Sequence, residues 1–203
     1  MIGFLHTSPV HVETFRGLMR TLAPGVGDLH VVDESLLADA RAGRDVSERL
    51  LSRLRSLSAA DVIVCTCSTL SGVAASRGVA VGVRVLRVDE PMARAAVAAG
   101  RRIGVVVAVQ SSLAPTLALL ESVSLPSTVL VPALCLDAWP LFAAGDLRAY
   151  AVRVAEHARS LDVDVVVLAQ ASMAPAADLL ADLGKPVLTS PRPAVERALA
   201  LVA

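Results

Sequence analysis

Short runs of Val, Ile and Leu alternate along this chain with longer stretches in which apolar residues recur at helical spacing. The short runs predict strands, because β-branched residues fit a pleated and buried surface, and the longer stretches predict amphipathic helices. The predicted strands are residues 2–5, 30–32, 61–65, 83–88, 103–107, 128–131, 163–168 and 187–188. Helices are expected to begin at Pro9, Ser47, Ser68, Pro91, Pro115 and Ala194, with a further helix over residues 150–159. This alternation indicates an α/β fold with mostly parallel sheets.

The pattern occurs twice, with matching residues at nearly matching distances. Gly3 lies in the first strand of the first half and Gly104 in its counterpart, while Asp61 and Asp164 each open a later apolar run. The distance from Gly3 to Asp61 is 58 positions, and that from Gly104 to Asp164 is 60. This spacing predicts a duplication, with two pseudo-symmetric lobes that each contain a mostly parallel sheet flanked by helices. The expected lobes are residues 1–97, completed by residues 190–203, and residues 98–189.

Composition narrows the class of protein. Apolar residues make up 55% of the chain and aromatic residues only 2%, so the core must consist of aliphatic side chains, as in parallel sheets covered by Ala-rich helices. Lys plus Arg equals Asp plus Glu at 19 each, and this balance argues against a nucleic-acid partner. The apolar runs are too short to span a bilayer, the N-terminus predicts a strand and not a signal peptide, and three cysteines suit a reducing compartment. We therefore expect a cytoplasmic protein with no membrane partner.

Polar residues follow four of the predicted strands, at the carboxyl ends where open parallel sheets bind their ligands. The four clusters are His6-Thr7-Ser8, Cys67-Ser68-Thr69, Gln110-Ser111-Ser112 and Gln170-Ala171-Ser172. They offer hydroxyl and backbone N–H groups but no side-chain cation, and this combination suits a carboxylate ligand. The alternative is that these Ser and Thr residues only cap helices. Four clusters at matched positions favour a ligand site.

Cys67 is the candidate nucleophile or acid–base residue, because it lies where a strand ends and a helix is expected to begin. A helix N-terminus can lower the pKa of a thiol toward neutrality and so favour the reactive thiolate. The alternative is a buried and inert cysteine, which is what we expect for Cys65 and Cys135. Cys65 and Cys67 have no further Cys or His at ligand spacing, so no metal site is predicted.

Two other titratable residues follow strands. His6 ends the first strand and is a candidate acid–base residue, whereas the other three histidines are expected at the surface or an interface. These three are His11, His30 and His157. Asp89 ends a strand and either works as an acid or base or caps the helix that follows. The chain has no Gly-rich phosphate-binding loop, so no cofactor is expected.

Five groups of motifs occur in order along nearly the whole chain. They are Gly3-Phe-Leu-His-Thr-Ser8, Cys65-Thr-Cys-Ser-Thr69, Arg87-Val-Asp-Glu-Pro-Met92, Arg102-Ile-Gly-Val105 with Ser111-Ser-Leu-Ala-Pro-Thr116, and Leu168-Ala-Gln-Ala-Ser-Met173. Together they resemble the aspartate/glutamate/hydantoin racemase superfamily. The resemblance implies two Rossmann-like lobes with the active site in the cleft between them, and chemistry without a cofactor. It is also consistent with a homodimer.

Racemases of this family typically use two cysteines, one per lobe, on opposite faces of the substrate α-carbon. The resemblance places Cys67 at the first cysteine and Gln170 at the second, and an amide has no proton-transfer chemistry near neutral pH. It therefore implies single-cysteine chemistry by Cys67, either acid–base or nucleophilic, with His6 or Asp89 as the second acid–base candidate and Gln170 donating a hydrogen bond to developing charge. The expected substrate-binding residues are Thr7, Ser8, Ser68, Thr69, Ser111, Ser112, Asp89 and Ser172.

We therefore expect a cofactor-independent enzyme of the isomerase or racemase type. Its substrate would be a small carboxylate that resembles an amino acid, a hydroxy acid or a hydantoin. Two alternatives stay open. One is a decarboxylase or lyase, because arylmalonate-type decarboxylases of this superfamily work with a single cysteine. The other is a non-catalytic protein that binds a small carboxylate.

Overall fold

The computed structural model describes residues 1–202. Two compact units are present: Met1–Glu90 together with the chain from Pro191 onward, which we call unit 1, and Pro91–Ser190, which we call unit 2. The boundary that the sequence predicts, at residues 97/98, falls near the end of a helix that begins at Glu90. Among the described residues, no helix is both long and apolar enough to cross a membrane.

Unit 1 contains a four-stranded parallel sheet with the strand order β2-β1-β3-β4. Its strands are β1 (Ile2–His6), β2 (Asp28–Val32), β3 (Val62–Cys65) and β4 (Arg84–Arg87). Its helices are α1 (Val10–Leu22), α2 (Glu34–Arg41), α3 (Ser47–Arg55), α4 (Ser71–Ser76), α5 (Gly78–Val81) and the C-terminal helix α10 (Pro191–Leu199). Helix α10 packs on α1, β3 and β4, so the end of the chain is part of unit 1.

Unit 2 repeats this topology, with a four-stranded parallel sheet in the order β6-β5-β7-β8. Its strands are β5 (Arg102–Val107), β6 (Val129–Leu134), β7 (Val165–Leu168) and β8 (Val187–Thr189). Its α-helices are α6 (Glu90–Ala99), α7 (Gln110–Val123), α8 (Trp139–Ala143) and α9 (Leu147–Arg159), and Leu136–Ala138 and Ala171–Leu180 are 3₁₀ segments. The predicted α/β architecture with two repeated parallel sheets is confirmed.

The repeat extends to the register of the two central strand pairs. Ile2 lies opposite Val62 in unit 1, and Ile103 lies opposite Val165 in unit 2. The matched glycines, Gly3 and Gly104, both lie at crowded strand positions, and a Cβ at Gly104 would lie 3.0 Å from Leu161 Cδ1. A Cβ at Gly3 would lie 3.2 Å from Ala60 Cβ, so this strand position leaves little room for a side chain.

The core of each unit is aliphatic, as the composition predicts. Both central strand pairs are buried on both faces, and the helices cover them with Leu, Ala and Met side chains. Aliphatic side chains fill such a core without leaving polar atoms that would need hydrogen-bond partners. The sheets therefore hold the ends of their strands in fixed positions, and these ends carry the candidate site residues.

Three helix predictions are wrong in detail. Helix α7 begins at Gln110 and not at Pro115, which lies inside the helix, because a proline marks the first turn often but not always. Residues 68–70 form a turn, and α4 begins only at Ser71. Helix α10 begins at Pro191 and not at Ala194. The segment after Gln170, for which no helix was predicted, is a 3₁₀ helix of 10 residues, although such runs are usually shorter.

Candidate functional site

Cys67 lies just beyond the end of β3 and is 8% exposed. Four donors hydrogen-bond to its sulfur: the hydroxyl groups of Thr7 and Thr69, and the backbone N–H groups of Thr69 and Leu70. Burial raises the pKa of the Cys67 thiol, and the four hydrogen bonds act in the opposite direction. The thiol is therefore protonated at neutral pH, and its surroundings are arranged to stabilise the thiolate once it forms.

The turn after Cys67 is closed by hydrogen bonds to the carbonyl oxygen of Cys67. The N–H groups of Leu70 and Ser71 donate to this oxygen at 3.0 and 2.8 Å. The turn also directs the N–H groups of residues 69 and 70 toward the sulfur, and the N–H of Leu70 is shared between the sulfur and the carbonyl oxygen. Ser68 in the same turn is 5% exposed, and Thr69 is half-buried. The structure thus brings three predicted site residues of unit 1 together, namely Thr7, Cys67 and Thr69.

Ser8 lies between Thr7 and helix α1. Its carbonyl oxygen accepts a hydrogen bond from the N–H group of His11 at 3.3 Å, which closes the turn that begins the helix. Its side chain is half-buried. Ser8 thus lies near the predicted cluster at the carboxyl end of β1, and its contact with a substrate stays a prediction.

Asp89 is fully buried, and its carboxylate has protein partners at both oxygens. Arg87 donates from Nε to Oδ1 and from Nη2 to Oδ2, each at 2.9 Å, and the Ser71 hydroxyl donates to Oδ1 at 3.1 Å. The hydrogen bond from Ser71 connects this ion pair, at the end of β4, to the first residue of α4. We infer that Asp89 stabilises the segment after Cys67, since its charge is already compensated within unit 1.

His6 uses both of its ring nitrogens in hydrogen bonds inside unit 1. Nδ1 lies 2.9 Å from Thr66 Oγ1, and Nε2 lies 2.9 Å from Nδ1 of His30. Burial, followed by the charges that His30 and His11 can carry, lowers the pKa of His6 to about 3. The ring of His6 is therefore neutral at physiological pH.

The prediction that His11 and His30 lie at the surface or an interface is wrong. His11 is 9% exposed, and the side chain of His30 is 6% exposed. Together with His6 they form a cluster with Phe4 and Phe15 on one face of the sheet. No local sequence signal indicated this, although His30 faces Phe4 in the register of β1 and β2. An imidazole can fill an aliphatic core when its nitrogens find partners.

Gln170 occupies in unit 2 the position that Cys67 occupies in unit 1. The N–H group of Ala108, the counterpart of Thr7, donates to Oε1 of Gln170 at 2.6 Å. A backbone N–H can only donate, so the acceptor must be the oxygen of the amide, and Nε2 keeps its two N–H donors for another partner. Gln170 is 8% exposed. Each unit thus has a hydrogen bond between the residue after its first strand and the residue at this position.

Ser111 and Ser112 lie in the first turn of α7, directly after β5. Ser112 is 2% exposed, and its N–H group donates to the carbonyl oxygen of Val109 at 3.0 Å. Ser172 lies in the 3₁₀ segment, and its hydroxyl is 2.8 Å from the hydroxyl of Tyr150. Ser172 therefore already has a partner within unit 2, and sequence reasoning could not identify this partner 22 positions away.

The other two cysteines lie in the core. Burial raises the pKa of Cys65, and burial together with the nearby Asp137 raises the pKa of Cys135 to about 11. Cys65 therefore behaves as a small apolar side chain, and the Cys135 thiol stays protonated and donates to Asp137 Oδ1 at 3.6 Å. Among residues 1–202 no three His, Cys, Asp or Glu side chains are arranged to hold a metal ion.

Comparison with known proteins places the fold. No protein-family model matches the chain, and no curated protein matches its sequence. Solved structures match over the whole chain. Glutamate racemase from Francisella tularensis subsp. tularensis SCHU S4, in complex with D-glutamate, has a TM-score of 0.79 at 12% identity and covers 99% of this chain and 80% of its own. Allantoin racemase from Klebsiella pneumoniae has a TM-score of 0.67 at 20% identity, with 99% and 86% covered.

A structure of arylmalonate decarboxylase has a TM-score of 0.61 at 18% identity, and covers 100% of this chain and 93% of its own. The chain is thus an α/β protein built from two repeated parallel-sheet units. It shares its fold with these solved structures of glutamate racemase, allantoin racemase and arylmalonate decarboxylase.

Proposed function

We propose that this protein is a cofactor-independent enzyme that acts on a small carboxylate, with Cys67 as the reacting group. The observation that supports this most strongly is the set of four donors around Cys67 Sγ. An inert buried cysteine needs no hydrogen-bond donors, because a thiol packs as a small apolar group. Four donors on one sulfur favour the thiolate, which is the form that removes a proton or attacks an electrophile.

The proposed reaction is one-sided proton transfer or nucleophilic attack by this thiolate. Gln170 replaces the second thiol of a symmetric racemase, and its Nε2 would donate to the negative charge that develops on the substrate. Hydroxyl groups at the ends of the strands would bind the substrate carboxylate. For this role we propose Thr7, Ser8, Ser68, Thr69, Ser111 and Ser112. His6 and Asp89 would act indirectly, since their polar atoms already have partners within unit 1.

Racemisation, isomerisation and decarboxylation all pass through a carbanion-like or enolate-like species, which proton transfer at the Cys67 sulfur would form or consume. The solved structures of similar fold include both racemases and a decarboxylase. We propose amino acids, hydroxy acids, hydantoin-like compounds and substituted malonates as the substrate panel. A cytoplasmic location and a homodimer stay predictions, and size-exclusion chromatography with light scattering tests the second.

The test is proton exchange at the α-carbon in D₂O, followed by NMR over this panel, for the wild type, Cys67→Ala and Cys135→Ala. We expect exchange or turnover of at least one acid by the wild type and by Cys135→Ala, and none by Cys67→Ala. Cys135→Ala is the matched control because it removes a buried thiol outside the donor set. Equal exchange by Cys67→Ala and the wild type would refute Cys67 as the reacting group.

A second candidate function is a non-catalytic binder of small carboxylates. The observation that favours it is the burial that raises the pKa of Cys67, since a protonated thiol is unreactive. This function predicts that one acid of the panel raises the melting temperature while neither exchange nor turnover occurs. Alkylation of Cys67 at neutral pH would then be slow, with or without that acid.

A further inference from the structure

Four side chains of unit 1 form one continuous hydrogen-bonded chain, which we call the relay. Asp28 Oδ2 is 2.5 Å from His30 Nε2, and His30 Nδ1 is 2.9 Å from His6 Nε2. His6 Nδ1 is 2.9 Å from Thr66 Oγ1, which is 3.0 Å from the carbonyl oxygen of Leu5. The Asp28 side chain is 24% exposed, whereas His6 is fully buried. The relay thus leads from solvent to the residue that precedes Cys67.

The protons on the four side chains of the relay can be placed in two ways. A carboxylate only accepts, so His30 Nε2 carries a proton in both. In the first, His30 and His6 are both neutral: His6 Nε2 donates to His30 Nδ1, and the Thr66 hydroxyl donates to His6 Nδ1. In the second, His30 has gained one proton and donates from Nδ1 to His6 Nε2. His6 then carries its proton on Nδ1 and donates to Thr66, whose hydroxyl donates to the Leu5 carbonyl.

The two arrangements differ by one proton, and His6 is neutral in both. The low pKa of His6, about 3, agrees with this because it disfavours a charge on the inner ring. The charged and titratable groups around the relay belong to α1 and β2. Arg16 Nε lies 3.8 Å from Asp28 Oδ2 and also pairs with Glu13, and the ring of His11 packs against that of His6. Phe4 stacks on His30 with a centroid distance of 5.1 Å.

The inner end of the relay adjoins Thr7 and Cys67 along the chain. His6 precedes Thr7, whose hydroxyl donates to Cys67, and Thr66 precedes Cys67 itself. The hydrogen bond between His6 and Thr66 therefore connects the ends of β1 and β3. The next residues along the chain, Thr7 and Cys67, form the contact between the hydroxyl and the sulfur. A shift of either strand end would lengthen that contact.

We propose that Asp28 and His30 are positioning residues for Cys67, which act through His6 and Thr66 to hold the Thr7 hydroxyl against the sulfur. This inference rests on the proposed function only in taking Cys67 as the reacting group. It assigns a role to the Asp28–His30 pair, which does not touch the donor set around the sulfur.

The first test needs no variant and no substrate. The protein is labelled with ¹⁵N-histidine, and long-range ¹H–¹⁵N spectra are recorded across pH. We expect His6 to hold a single proton, on a ring nitrogen that one of the two arrangements requires, and to give no imidazolium signal above pH 4. A His6 imidazolium signal in this range would overturn the relay.

The second test measures the sulfur directly, by the thiolate absorbance near 240 nm across pH, with Cys67→Ala subtracted as the blank. The variant His30→Phe keeps the stacking on Phe4 but loses the hydrogen bond to His6. In this variant we expect the pH midpoint of Cys67 thiolate formation to rise, so that the thiolate population at a fixed pH falls about threefold or more. His30→Asn, whose amide can replace Nδ1, should recover most of this loss, and His157→Asn, outside the relay, should match the wild type.

An unchanged midpoint in folded His30→Phe would overturn the positioning role. If His30→Phe does not fold, Asp28→Asn takes its place, with the same expected direction and the same criterion. Neither test depends on turnover. A failure of the relay is therefore distinguishable from a failure of the proposed function, which Cys67→Ala tests by itself.

Discussion

Replacing Thr7 by Val removes one hydroxyl donor from Cys67 Sγ and keeps the shape of the side chain. Thr7 is 9% exposed and Cys67 is 8% exposed, so water cannot easily replace the lost donor. A hydrogen bond to a charged group contributes about 1.5–3 kcal/mol. At 1.36 kcal/mol per tenfold change, the thiolate population at a pH below the midpoint falls about 10- to 150-fold.

The observed rate of alkylation falls less than the thiolate population. A less acidic thiol is a better nucleophile, with a Brønsted coefficient of about 0.4–0.5, and this offsets nearly half of the loss on a logarithmic scale. We therefore expect Thr7→Val to react with iodoacetamide about 4- to 16-fold more slowly than the wild type at pH 7. Thr7→Ser keeps the donor and should react within about twofold of the wild type.

The assay is a time course of alkylation, in which fragment-ion mass spectrometry distinguishes label on Cys67 from label on Cys65. Circular dichroism confirms that the variants fold. Equal rates for Thr7→Val and Thr7→Ser would refute the argument that the Thr7 hydroxyl stabilises the thiolate. A faster reaction of Thr7→Val at every pH would show that access to the sulfur, and not its pKa, controls the rate.

Three further outcomes follow from the structure. Asp89→Ala should lower the free energy of unfolding, measured in urea, by about 3–5 kcal/mol, because the guanidinium of Arg87 and the buried hydroxyl of Ser71 lose the carboxylate that accepts their hydrogen bonds, whereas the apolar pair Arg87→Met/Asp89→Leu should recover part of that loss. Retained stability of Asp89→Ala would mean that the ion pair contributes little. Gln170→Leu should cost about 1–3 kcal/mol, because the backbone N–H that donates to Oε1 loses its partner, and Gln170→Glu should lose less since it keeps an acceptor. Burial lowers the pKa of His6 to about 3 and of His11 to about 4, so the unfolded chain binds more protons below pH 6.5, and stability should fall as the pH drops from 6.5 toward 3. Urea midpoints that stay constant over this range would contradict it.

The sequence by itself determined the architecture of the protein. The alternation of apolar runs and helical stretches, together with the spacing from Gly3 to Asp61 and from Gly104 to Asp164, was sufficient to predict two repeated parallel sheets. Apolar periodicity and close approach at a glycine depend on residues near in sequence or on one shared core, so a pattern along the chain records them. The location of Cys67 after a buried strand was predictable for the same reason.

The partners of the polar side chains were decided only by the tertiary structure. Asp28, His30 and His6 meet because strands β1 and β2 pair in one particular register, and 24 positions of chain separate the two histidines. Asp89 is a predicted substrate-binding residue, and only the structure shows that its carboxylate pairs with Arg87. A buried polar atom takes whichever partner packing brings within about 3 Å, and neither propensity nor periodicity specifies that partner. The sequence thus indicates where the candidate polar groups lie, and packing decides which partners they have.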